Sequence, residues 1–213
     1  SEPKLKMIAN YAVGYDNIDV NAATKRKIPV SNTPGVLTDA TSEMAWALLF
    51  SVARRVVEAD KFTRSGKFNG WGPLLMLGQD VAGKTLGIIG AGRIGSAFAL
   101  KSKGFNMKVL YVDSVNNDKL EKELDAKKVE INELLEKSDF ISLHVPLLSS
   151  THHLIDEKEL RKMKKSAILI NTSRGPIVNE KTLVKALKEK WIFGAGLDVY
   201  ENEPLMVEGL KDL

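Results

Sequence analysis

The sequence predicts an α/β fold in which a doubly wound parallel sheet is covered by helices on both faces. From residue 85 onward, short and continuously apolar strands alternate with helices, which is typical of such a sheet. A glycine-rich turn follows the first of these strands, and polar segments follow the last two. The composition, 44% hydrophobic and 27% charged, is that of a globular protein.

The region before this alternation predicts a smaller α/β unit. Its expected elements are an apolar strand at residues 5–9, a helix at residues 20–25 with Asp19 as its cap, and a strand that begins at Pro29. Ser1 leads almost directly into the first strand, and Leu213 follows a helix-like tail. Both ends therefore look cut through folded material, and the chain is expected to be a fragment of a longer protein.

A long helix is predicted after the turn at residues 32–35. It is expected to begin with Thr38 or Asp39 as its cap and to end near Ala59. Apolar residues repeat along it every four positions and predict one buried stripe, made of Met44, Leu48, Val52 and Val56 with Ala45 and Leu49 alongside.

An irregular arm at residues 65–77 is rich in glycine and is expected to expose Phe68 and Trp71. The alternation that follows predicts strands at residues 85–89, 108–112, 140–143, 167–170 and 195–197, with a short strand near Val129. The predicted helices lie at residues 94–103, 118–124, 131–137, 157–164 and 180–190.

The charge pattern argues against a nucleic-acid or membrane protein. The 31 basic residues exceed the 27 acidic ones by four, and the two kinds are interleaved, which is typical of solvated helix faces. The longest near-apolar run, residues 44–53, is too short to cross a bilayer. The absence of cysteine excludes a disulfide scaffold and fits a reducing compartment. We therefore expect a cytoplasmic protein that binds neither nucleic acid nor membrane.

The turn after the strand at residues 85–89 has the pattern G-x-G-x-x-G at Gly90, Gly92 and Gly95. A helix follows it, and Asp113 ends the next strand 113 − 95 = 18 residues later, near the spacing of about 20 typical of a ribose-binding acid. Gly90 permits the tight turn, Gly92 lets the backbone approach a pyrophosphate, and Gly95 lets helix and strand pack closely. The pattern predicts a dinucleotide site on a Rossmann domain, with the phosphates at the helix N-terminus.

Asp113 also indicates which dinucleotide is bound. A carboxylate accepts hydrogen bonds from both hydroxyls of a ribose but repels a 2′-phosphate, and the following Ser114 supplies no cation. NAD(H) is therefore favoured over NADP(H). The cofactor contacts predicted at this end of the sheet are Gly90, Gly92, Arg93, Ile94, Gly95, Asp113 and Ser114.

Polar segments at residues 171–175 and 198–204 follow the last two predicted strands. Ligands of open parallel sheets bind outside the carboxyl ends of the strands. Arg174 can hold a carboxylate through its planar guanidinium and can polarise a carbonyl, and an acid nearby can orient a histidine or transfer a proton. On spacing alone, Arg174 is equally compatible with a surface ion pair.

The series of motifs resembles the D-isomer-specific 2-hydroxyacid dehydrogenases. The motifs are the glycine-rich turn, Ser142-Leu143-His144-Val145-Pro146-Leu147, Asn171-Thr172-Ser173-Arg174-Gly175, and Gly196-Leu197-Asp198-Val199-Tyr200 through Glu203-Pro204, with residues 11–17 and 32–41 before them. Residues 36–41 and the arm around Trp71 are most similar to the glyoxylate and hydroxypyruvate reductases. The resemblance implies an NAD-binding domain at residues 33–213 and, at residues 1–32, the end of a flavodoxin-like substrate domain. It also implies a homodimer through the arm around Trp71.

The resemblance implies roles for individual residues. Arg174 is similar to the arginine that binds the carboxylate and carbonyl of a 2-oxo acid, and Glu203 is similar to the glutamate that pairs with the catalytic histidine. Val13 and Gly14 match the loop whose backbone amides hold the substrate carboxylate. Asp198 matches the residue that positions the nicotinamide carboxamide. The other implied contacts of the cofactor cleft are His144, Val145, Pro146, Thr172 and Ser173.

One motif of the family is absent from this sequence. The acid–base histidine lies in a Pro-His-x-Gly-type motif downstream of the glutamate, and none follows Glu203. His144 falls in the cofactor segment, and the pair His152-His153 is expected on a surface loop or helix start with no carboxylate at metal-ligand spacing. No metal site is therefore expected. The 213-residue chain alone is expected to be inactive or badly impaired as an enzyme, while NADH binding can persist.

The implied reaction is hydride transfer between NAD(H) and a small 2-oxo or 2-hydroxy acid, with glyoxylate or hydroxypyruvate as substrate. Two alternatives stay open. A phosphoglycerate dehydrogenase would need a cationic site for the substrate phosphate. A non-catalytic, NAD(H)-responsive interaction protein on the same fold, such as a corepressor, would couple its partner surface to closure of the cleft.

Overall fold

The structure, a computed structural model that describes residues 5–213, begins with a small parallel strand pair. β1 (Ile8–Ala9) pairs with β2 (Val30–Ser31), and helix α1 (Val20–Lys25) connects them. The Asp19 side chain accepts a hydrogen bond from the Ala22 N–H and caps α1, as predicted. The first strand is shorter than the predicted residues 5–9, because β2 offers a partner to only two of its residues.

The predicted long helix is two helices, α2 (Thr38–Ala53) and α3 (Val56–Arg64). Between them, Arg55 adopts a left-handed φ of 53°, and the returning chain donates the Gln79 N–H to the Ala53 carbonyl at 2.7 Å. This long-range bond ends α2, so the prediction of one helix to residue 59 is wrong. The cap prediction is also wrong, since Leu37 occupies the N-cap without a side-chain bond.

The buried face of α2 differs from the predicted stripe. Met44 is 43% exposed, and Val56 lies in α3 and is 51% exposed. Trp46 decides the orientation, because its indole N–H donates to the buried Phe98 carbonyl at 3.0 Å while its ring packs against the Phe98 ring. The buried residues of α2 are Ser42, Ala45, Trp46, Leu49 and Ala53.

Six parallel strands form the main sheet of the structure. The strands are β3 (Thr85–Ile89), β4 (Lys108–Val112), β5 (Lys127–Lys128), β6 (Phe140–Leu143), β7 (Ile168–Asn171) and β8 (Gly194–Leu197). The helices between them are α4 (Arg93–Lys101), α5 (Asp118–Leu124), α6 (Ile131–Lys137), α7 (Glu157–Lys162) and α8 (Glu180–Lys188). Short 3-10 turns lie at Ser102–Phe105, Gly175–Ile177 and Leu210–Asp212. The predicted alternation is confirmed, with element ends within two residues of those predicted.

The strand order β5-β4-β3-β6-β7-β8 is that of a Rossmann fold, so the predicted doubly wound sheet is confirmed. The chain reverses its direction of travel across the sheet between β3 and β6, which are direct neighbours. Ligands of such sheets bind outside the carboxyl ends of the strands at this switch point. The glycine-rich turn after β3 and the segment after β6 therefore meet at the expected ligand crevice.

Helices cover both faces of the sheet and bury two separate apolar cores. One core packs α2 and α4 on Leu86, Ile88 and Ile170, and the other packs α6, α7 and α8 on Ile89, Ile141 and Leu169. The sheet positions alternate between the two cores, as side chains of a strand covered on both faces must. The sheet is therefore rigid on both sides, which fixes the loops at its carboxyl edge.

The arm at residues 65–77 contains no helix or strand and exposes its aromatic residues, as predicted. Phe68 is 53% exposed and Trp71 is 85% exposed. Leu74 and Leu77 add further exposed apolar surface. Within the described residues, no helix has the length and hydropathy that a membrane span requires.

Candidate active site

The glycine-rich turn owes its shape to two close backbone contacts. Gly90 has a φ of 95°, and a Cβ atom at this position would stand 2.8 Å from the backbone C and O of His144. A Cβ at Gly95 would overlap the Gly90 carbonyl. Because glycine has no Cβ, α4 can pack directly on the turn. Gly92, by contrast, is exposed and faces open space at the N-cap of α4. The turn thus leaves room at the one glycine that is predicted to face a pyrophosphate.

Two polar side chains hold the backbone of Ala91 from either side. The Asp113 carboxylate accepts the Ala91 N–H at 2.8 Å, and the Asn117 amide donates to the Ala91 carbonyl at 2.8 Å. The Asn117 amide also donates to the Ser96 hydroxyl at 2.8 Å. Asp113 therefore fixes the turn from the end of β4, and its second oxygen faces the exposed residues 114–115. Sequence reasoning missed Asn117, although an asparagine before a helix signals a cap.

The His144 imidazole packs behind the crevice as a neutral group. Its ring lies 5.2 Å from the Phe98 ring, and its Nε2 lies 2.9 Å from the Ser142 hydroxyl. Burial lowers the pKa of His144 to about 4, because the imidazolium would lose its hydration. His144 is therefore uncharged near neutral pH and presents no cation to the crevice.

The segment after β7 is held by the buried Asn171. Its side-chain oxygen accepts from the Ser173 N–H and hydroxyl, and its amide donates to the Arg174 carbonyl at 2.9 Å. Thr172, which follows Asn171, is 8% exposed, and its buried hydroxyl has no hydrogen-bond partner among the described residues. A buried hydroxyl without a partner carries a desolvation cost that a polar ligand would remove. The Asn171 side chain thus positions two predicted site residues, Ser173 and Arg174.

The Arg174 guanidinium crosses from β7 to the loop after β1. Its Nε donates to the Asp16 carboxylate at 2.9 Å, and its Nη1 donates to the Ser173 carbonyl at 2.7 Å. Gly14 lies against the same guanidinium, and any Cβ atom there would overlap Nη2. Arg174 is therefore more than a surface ion-pair partner, because it joins the two halves of the structure at one point.

The loop at residues 11–14 is shaped by two asparagine side chains. The Asn10 amide donates to the Gly14 carbonyl at 2.7 Å, and the Asn32 amide donates to the Val13 carbonyl at 2.8 Å. Within the described part of the chain, the N–H groups of Val13 and Gly14 donate to no other protein group. Two adjacent free N–H groups beside an arginine make a site for an anion.

These segments enclose a cleft of about 790 Å³ between the small strand pair and the carboxyl edge of the main sheet. The cleft brings together nine of the residues predicted from the sequence, namely Val13, Gly14, Ile94, His144, Val145, Pro146, Thr172, Ser173 and Arg174. The other eight predicted residues do not line it, namely Gly90, Gly92, Arg93, Gly95, Asp113, Ser114, Asp198 and Glu203. Asp198 is bonded through its N–H to the Asn171 carbonyl at the end of β8, and the exposed Glu203 accepts the Tyr200 N–H at 2.9 Å.

The structure corrects one expectation about the histidine pair. Glu201 lies beside it, with its Oε1 2.6 Å from the Nε2 of His153, so a carboxylate does stand at ligand distance. The expectation failed because this contact joins positions 48 residues apart. The acids that are close to the pair in sequence have other partners, since Asp156 caps α7 and Glu157 pairs with Arg161.

The sequence matches two models of one protein family. Residues 46–211 match the NAD binding domain of the D-isomer specific 2-hydroxyacid dehydrogenases, and residues 1–64 match the catalytic domain of the same family. The chain is 60% identical over 204 residues to a glyoxylate reductase of Korarchaeum cryptofilum, covering 95% of this chain and 61% of that protein. It is 59% identical to a glyoxylate reductase of Thermococcus litoralis, covering 99% of this chain and 65% of that protein. The chain thus spans less than two thirds of the length of these curated relatives.

Solved structures give the same assignment. The chain is similar to a glyoxylate reductase from Paecilomyes thermophila with a TM-score of 0.89 and 41% identity, covering 98% of this chain and 62% of that one. It is also similar to a D-lactate dehydrogenase from Aquifex aeolicus complexed with NAD and lactic acid, with a TM-score of 0.87 and 35% identity, covering 94% of this chain and 60% of that one. The chain therefore belongs to the D-isomer specific 2-hydroxyacid dehydrogenase family and carries its NAD-binding domain.

Proposed function

We propose that the chain is the cofactor-binding and substrate-orienting core of a reductase that transfers a hydride from NADH to glyoxylate or hydroxypyruvate. The observation that carries this proposal is the meeting of Arg174 with the loop of Val13 and Gly14 inside the cleft. A 2-oxo acid has a carboxylate next to a carbonyl. This arrangement of donors matches both groups at once.

The donors divide the work between the two ends of the substrate. The N–H groups of Val13 and Gly14 hold the carboxylate, and the Arg174 guanidinium spans the carboxylate and the carbonyl oxygen. During reduction the carbonyl oxygen gains negative charge, so a fixed guanidinium stabilises that state more than the ground state. Asp16 keeps the guanidinium in place through its 2.9 Å bond to Nε.

The carboxyl edge of the sheet is proposed to hold the cofactor, which supplies the hydride. Gly92 and the N-terminus of α4 face the pyrophosphate, with Arg93, Ile94 and Gly95 beginning that helix, and the Asp113 carboxylate receives the adenosine ribose with Ser114 beside it. The free hydroxyl of Thr172 and the exposed carboxylate of Asp198 are available to the nicotinamide half. These proposed contacts rest on the match of the chain to the family's NAD-binding domain.

The proton is proposed to come from a histidine held by Glu203. Glu203 is exposed and its Oε1 already accepts the Tyr200 N–H, so the segment after β8 fixes the carboxylate near the end of the sheet. The neutral His144 is unsuited to this role, because its low pKa leaves it without a proton to give. Catalysis of this kind typically contributes about 10²–10⁴-fold, so its loss would leave binding intact but turnover slow.

The charges of the cleft favour a small substrate over a phosphorylated one. Arg174 is the only lysine or arginine among the described residues that line it, and it is already paired with Asp16. One such cation suits a single carboxylate. A phosphoglycerate would need a second cationic site for its phosphate, and the described lining offers none.

The test is NADH oxidation by the chain in its complete reading frame, with glyoxylate, hydroxypyruvate and pyruvate in parallel and NADPH as the cofactor control. We expect turnover with NADH that prefers glyoxylate or hydroxypyruvate. Arg174→Ala should lower kcat/KM by about 10²–10³-fold, as expected for loss of a fixed donor to a developing oxyanion. Arg64→Ala, on the exposed face of α3, serves as the matched control and should leave turnover unchanged. NADH binding without turnover on any substrate would favour the non-catalytic interaction protein instead.

We also propose a homodimer through the arm around Trp71 and a cytoplasmic location. Trp71 and Leu74, three positions apart on the arm, are 85% and 79% exposed, and large aromatic residues are enriched in interfaces. Light scattering should give twice the chain mass for the wild type and a monomer for Trp71→Ser. The absence of cysteine supports a reducing compartment, and cell fractionation tests the location.

A further inference from the structure

We infer a divalent transition-metal site formed by His152, His153 and Glu201 on the surface of the protein. One ligand atom from each of the three residues lies within 4.8 Å of the others. The histidines belong to the segment between β6 and α7, and the glutamate belongs to the segment after β8. This cluster is separate from the lining of the cleft and does not depend on the proposed reaction.

The backbone holds both histidines in place. The His152 N–H donates to the Leu148 carbonyl at 2.9 Å, and the His153 N–H donates to the Pro176 carbonyl at 2.8 Å. His153 has a φ of 49°, which turns its side chain to the same side as that of His152. The ring centroids of the pair lie 4.0 Å apart. Two adjacent imidazoles are therefore presented together, although consecutive side chains normally diverge.

Glu201 is held by reciprocal bonds to the first residue of α8. The Glu201 N–H donates to the Glu180 Oε1 at 2.7 Å, and the Glu180 N–H donates to the Glu201 Oε2 at 3.2 Å. The other oxygen, Glu201 Oε1, points to His153 and lies 2.6 Å from its Nε2. Oε2 of Glu201 thus fixes the side chain, and Oε1 is directed at the histidines.

The donor set suits Zn²⁺ and its neighbours. Two imidazole nitrogens and one carboxylate oxygen form a usual three-residue set for zinc, with water as the fourth ligand. Bond lengths of about 2.0–2.2 Å place the ligand atoms of a tetrahedral site about 3.3 Å apart. Relative to that spacing, the 2.6 Å His153–Glu201 contact must widen by about 0.7 Å. The longest separation, which is within 4.8 Å, must close by at most about 1.5 Å. Rotation of the partly exposed side chains supplies such movements without moving the backbone.

A second observation points independently to a cation. Glu180 is 2% exposed, and its Oε2 has no hydrogen-bond partner among the described residues. Its carboxylate contacts Glu201, so two acidic groups share one half-buried place. Two carboxylates side by side in such a place repel each other, and a cation bound to Glu201 would offset that repulsion. Glu180 would act as the outer partner that fixes a metal-binding carboxylate.

The experiment is calorimetric titration of the EDTA-treated, dialysed chain with ZnCl₂, and in parallel with MgCl₂. We expect one saturable Zn²⁺ site per chain and no saturable Mg²⁺ binding, because Mg²⁺ prefers oxygen ligands in octahedral geometry. Loss of an outer partner typically costs 10–100-fold in affinity, so removal of a ligand should cost about tenfold or more. His152→Ala and Glu201→Gln should each weaken Zn²⁺ binding by at least that factor.

Glu136→Gln is the matched control, because it neutralises an exposed carboxylate on α6 and should leave Zn²⁺ binding unchanged. His152 is exposed, so His152→Ala should melt like the wild type and carries the test even if Glu201→Gln folds poorly. The absence of saturable Zn²⁺ binding would overturn the inference. Wild-type affinity in a folded His152→Ala variant would do the same.

Discussion

Gly14 lies directly against the guanidinium of Arg174, so that a Cβ atom on Gly14 would overlap Nη2 and stand 2.8 Å from Cζ. The two residues are 174 − 14 = 160 positions apart and belong to the loop after β1 and the segment after β7. The missing side chain lets a cation lie on the backbone whose N–H groups are proposed to bind the same substrate. Glycine is therefore required here for space, not for an unusual backbone conformation.

Replacing Gly14 with alanine should displace Arg174 and impair the enzyme without unfolding it. The overlapped atom is the end of a flexible side chain, so the free energy of unfolding should change by less than about 1 kcal/mol. Misplacement of a substrate-orienting group by about 1 Å can cost on the order of 10²-fold, and we expect a fall of that order in kcat/KM. Steady-state kinetics and urea unfolding measure the two effects. Gly104→Ala, where a Cβ meets nothing within 4 Å, is the control and should change neither.

Gly92→Ala and Gly95→Ala should separate cofactor binding from stability. A Cβ at Gly95 overlaps the Gly90 carbonyl, so we expect this variant to lose about 1–3 kcal/mol of stability. A Cβ at Gly92 meets open space, so its stability should change by about 1 kcal/mol or less, from the weaker cap. NADH affinity should nevertheless fall by about tenfold or more in Gly92→Ala, equivalent to ~1.4 kcal/mol. Unchanged NADH binding in a folded Gly92→Ala would remove the pyrophosphate from this turn.

Asp113 should govern the choice between NADH and NADPH. Asp113→Asn keeps an oxygen for the Ala91 N–H but loses the charge that repels a 2′-phosphate. The ratio of NADH to NADPH affinity should fall by about tenfold or more, because hydrogen bonds to a charged group contribute about 1.5–3 kcal/mol. Asp113→Ala should shift the ratio in the same direction and also loosen the glycine-rich turn. Fluorescence titration measures the ratio, and Asp60→Asn on α3 should leave it as in the wild type.

The neutral His144 should make stability depend on pH. Its folded pKa of about 4 lies below the ordinary value of 6.5, so the unfolded chain binds the proton more tightly. This contribution to stability is complete above pH 6.5 and is lost as the pH falls toward 4. Between pH 8 and pH 5 the loss is about 2 kcal/mol.

His144→Gln retains a partner for the Ser142 hydroxyl but cannot titrate. From pH 8 to pH 5, the unfolding free energy of this variant should therefore decrease by about 2 kcal/mol less than that of the wild type. Urea unfolding at pH 8 and pH 5 gives the comparison. His152→Gln, which changes the exposed member of the histidine pair, should show the same pH dependence of stability as the wild type. Parallel pH dependence in all three proteins would show that His144 is charged in the folded state.

The main sheet was predictable from the sequence because its signals are local. A strand buried on both faces is a continuous apolar run, and the bounds of β3 and β4 match those predicted. The glycine-rich turn was equally clear, since strand, glycines, helix and Asp113 follow one another within 30 residues. Six of the predicted residues that line the cleft directly follow β6 or β7, which is where the sequence places ligand contacts of a parallel sheet.

The features that sequence reasoning missed depend on long-range contacts. The break between α2 and α3 is fixed by Gln79, which returns to the helix end from 26 residues away. Glu201 reaches the histidine pair across 48 positions. Asn10 and Asn32 were visible as polar residues, but the carbonyls that they bind are determined only by the folded loop. No local pattern encodes such pairings.

The two asparagine bonds have a consequence for how this cleft tolerates mutation. The proposed carboxylate donors at Val13 and Gly14 are main-chain N–H groups, which every substitution except proline retains. Substitutions can therefore change the side chains that line the cleft, and with them its selectivity, while the main-chain donors for the carboxylate remain. Asn10 and Asn32 are the more sensitive positions, because their side chains bind the carbonyls of Gly14 and Val13 and so fix the orientation of the loop. In a saturation mutagenesis screen, these two supporting positions should tolerate fewer substitutions than Val13, whose N–H is the proposed substrate donor.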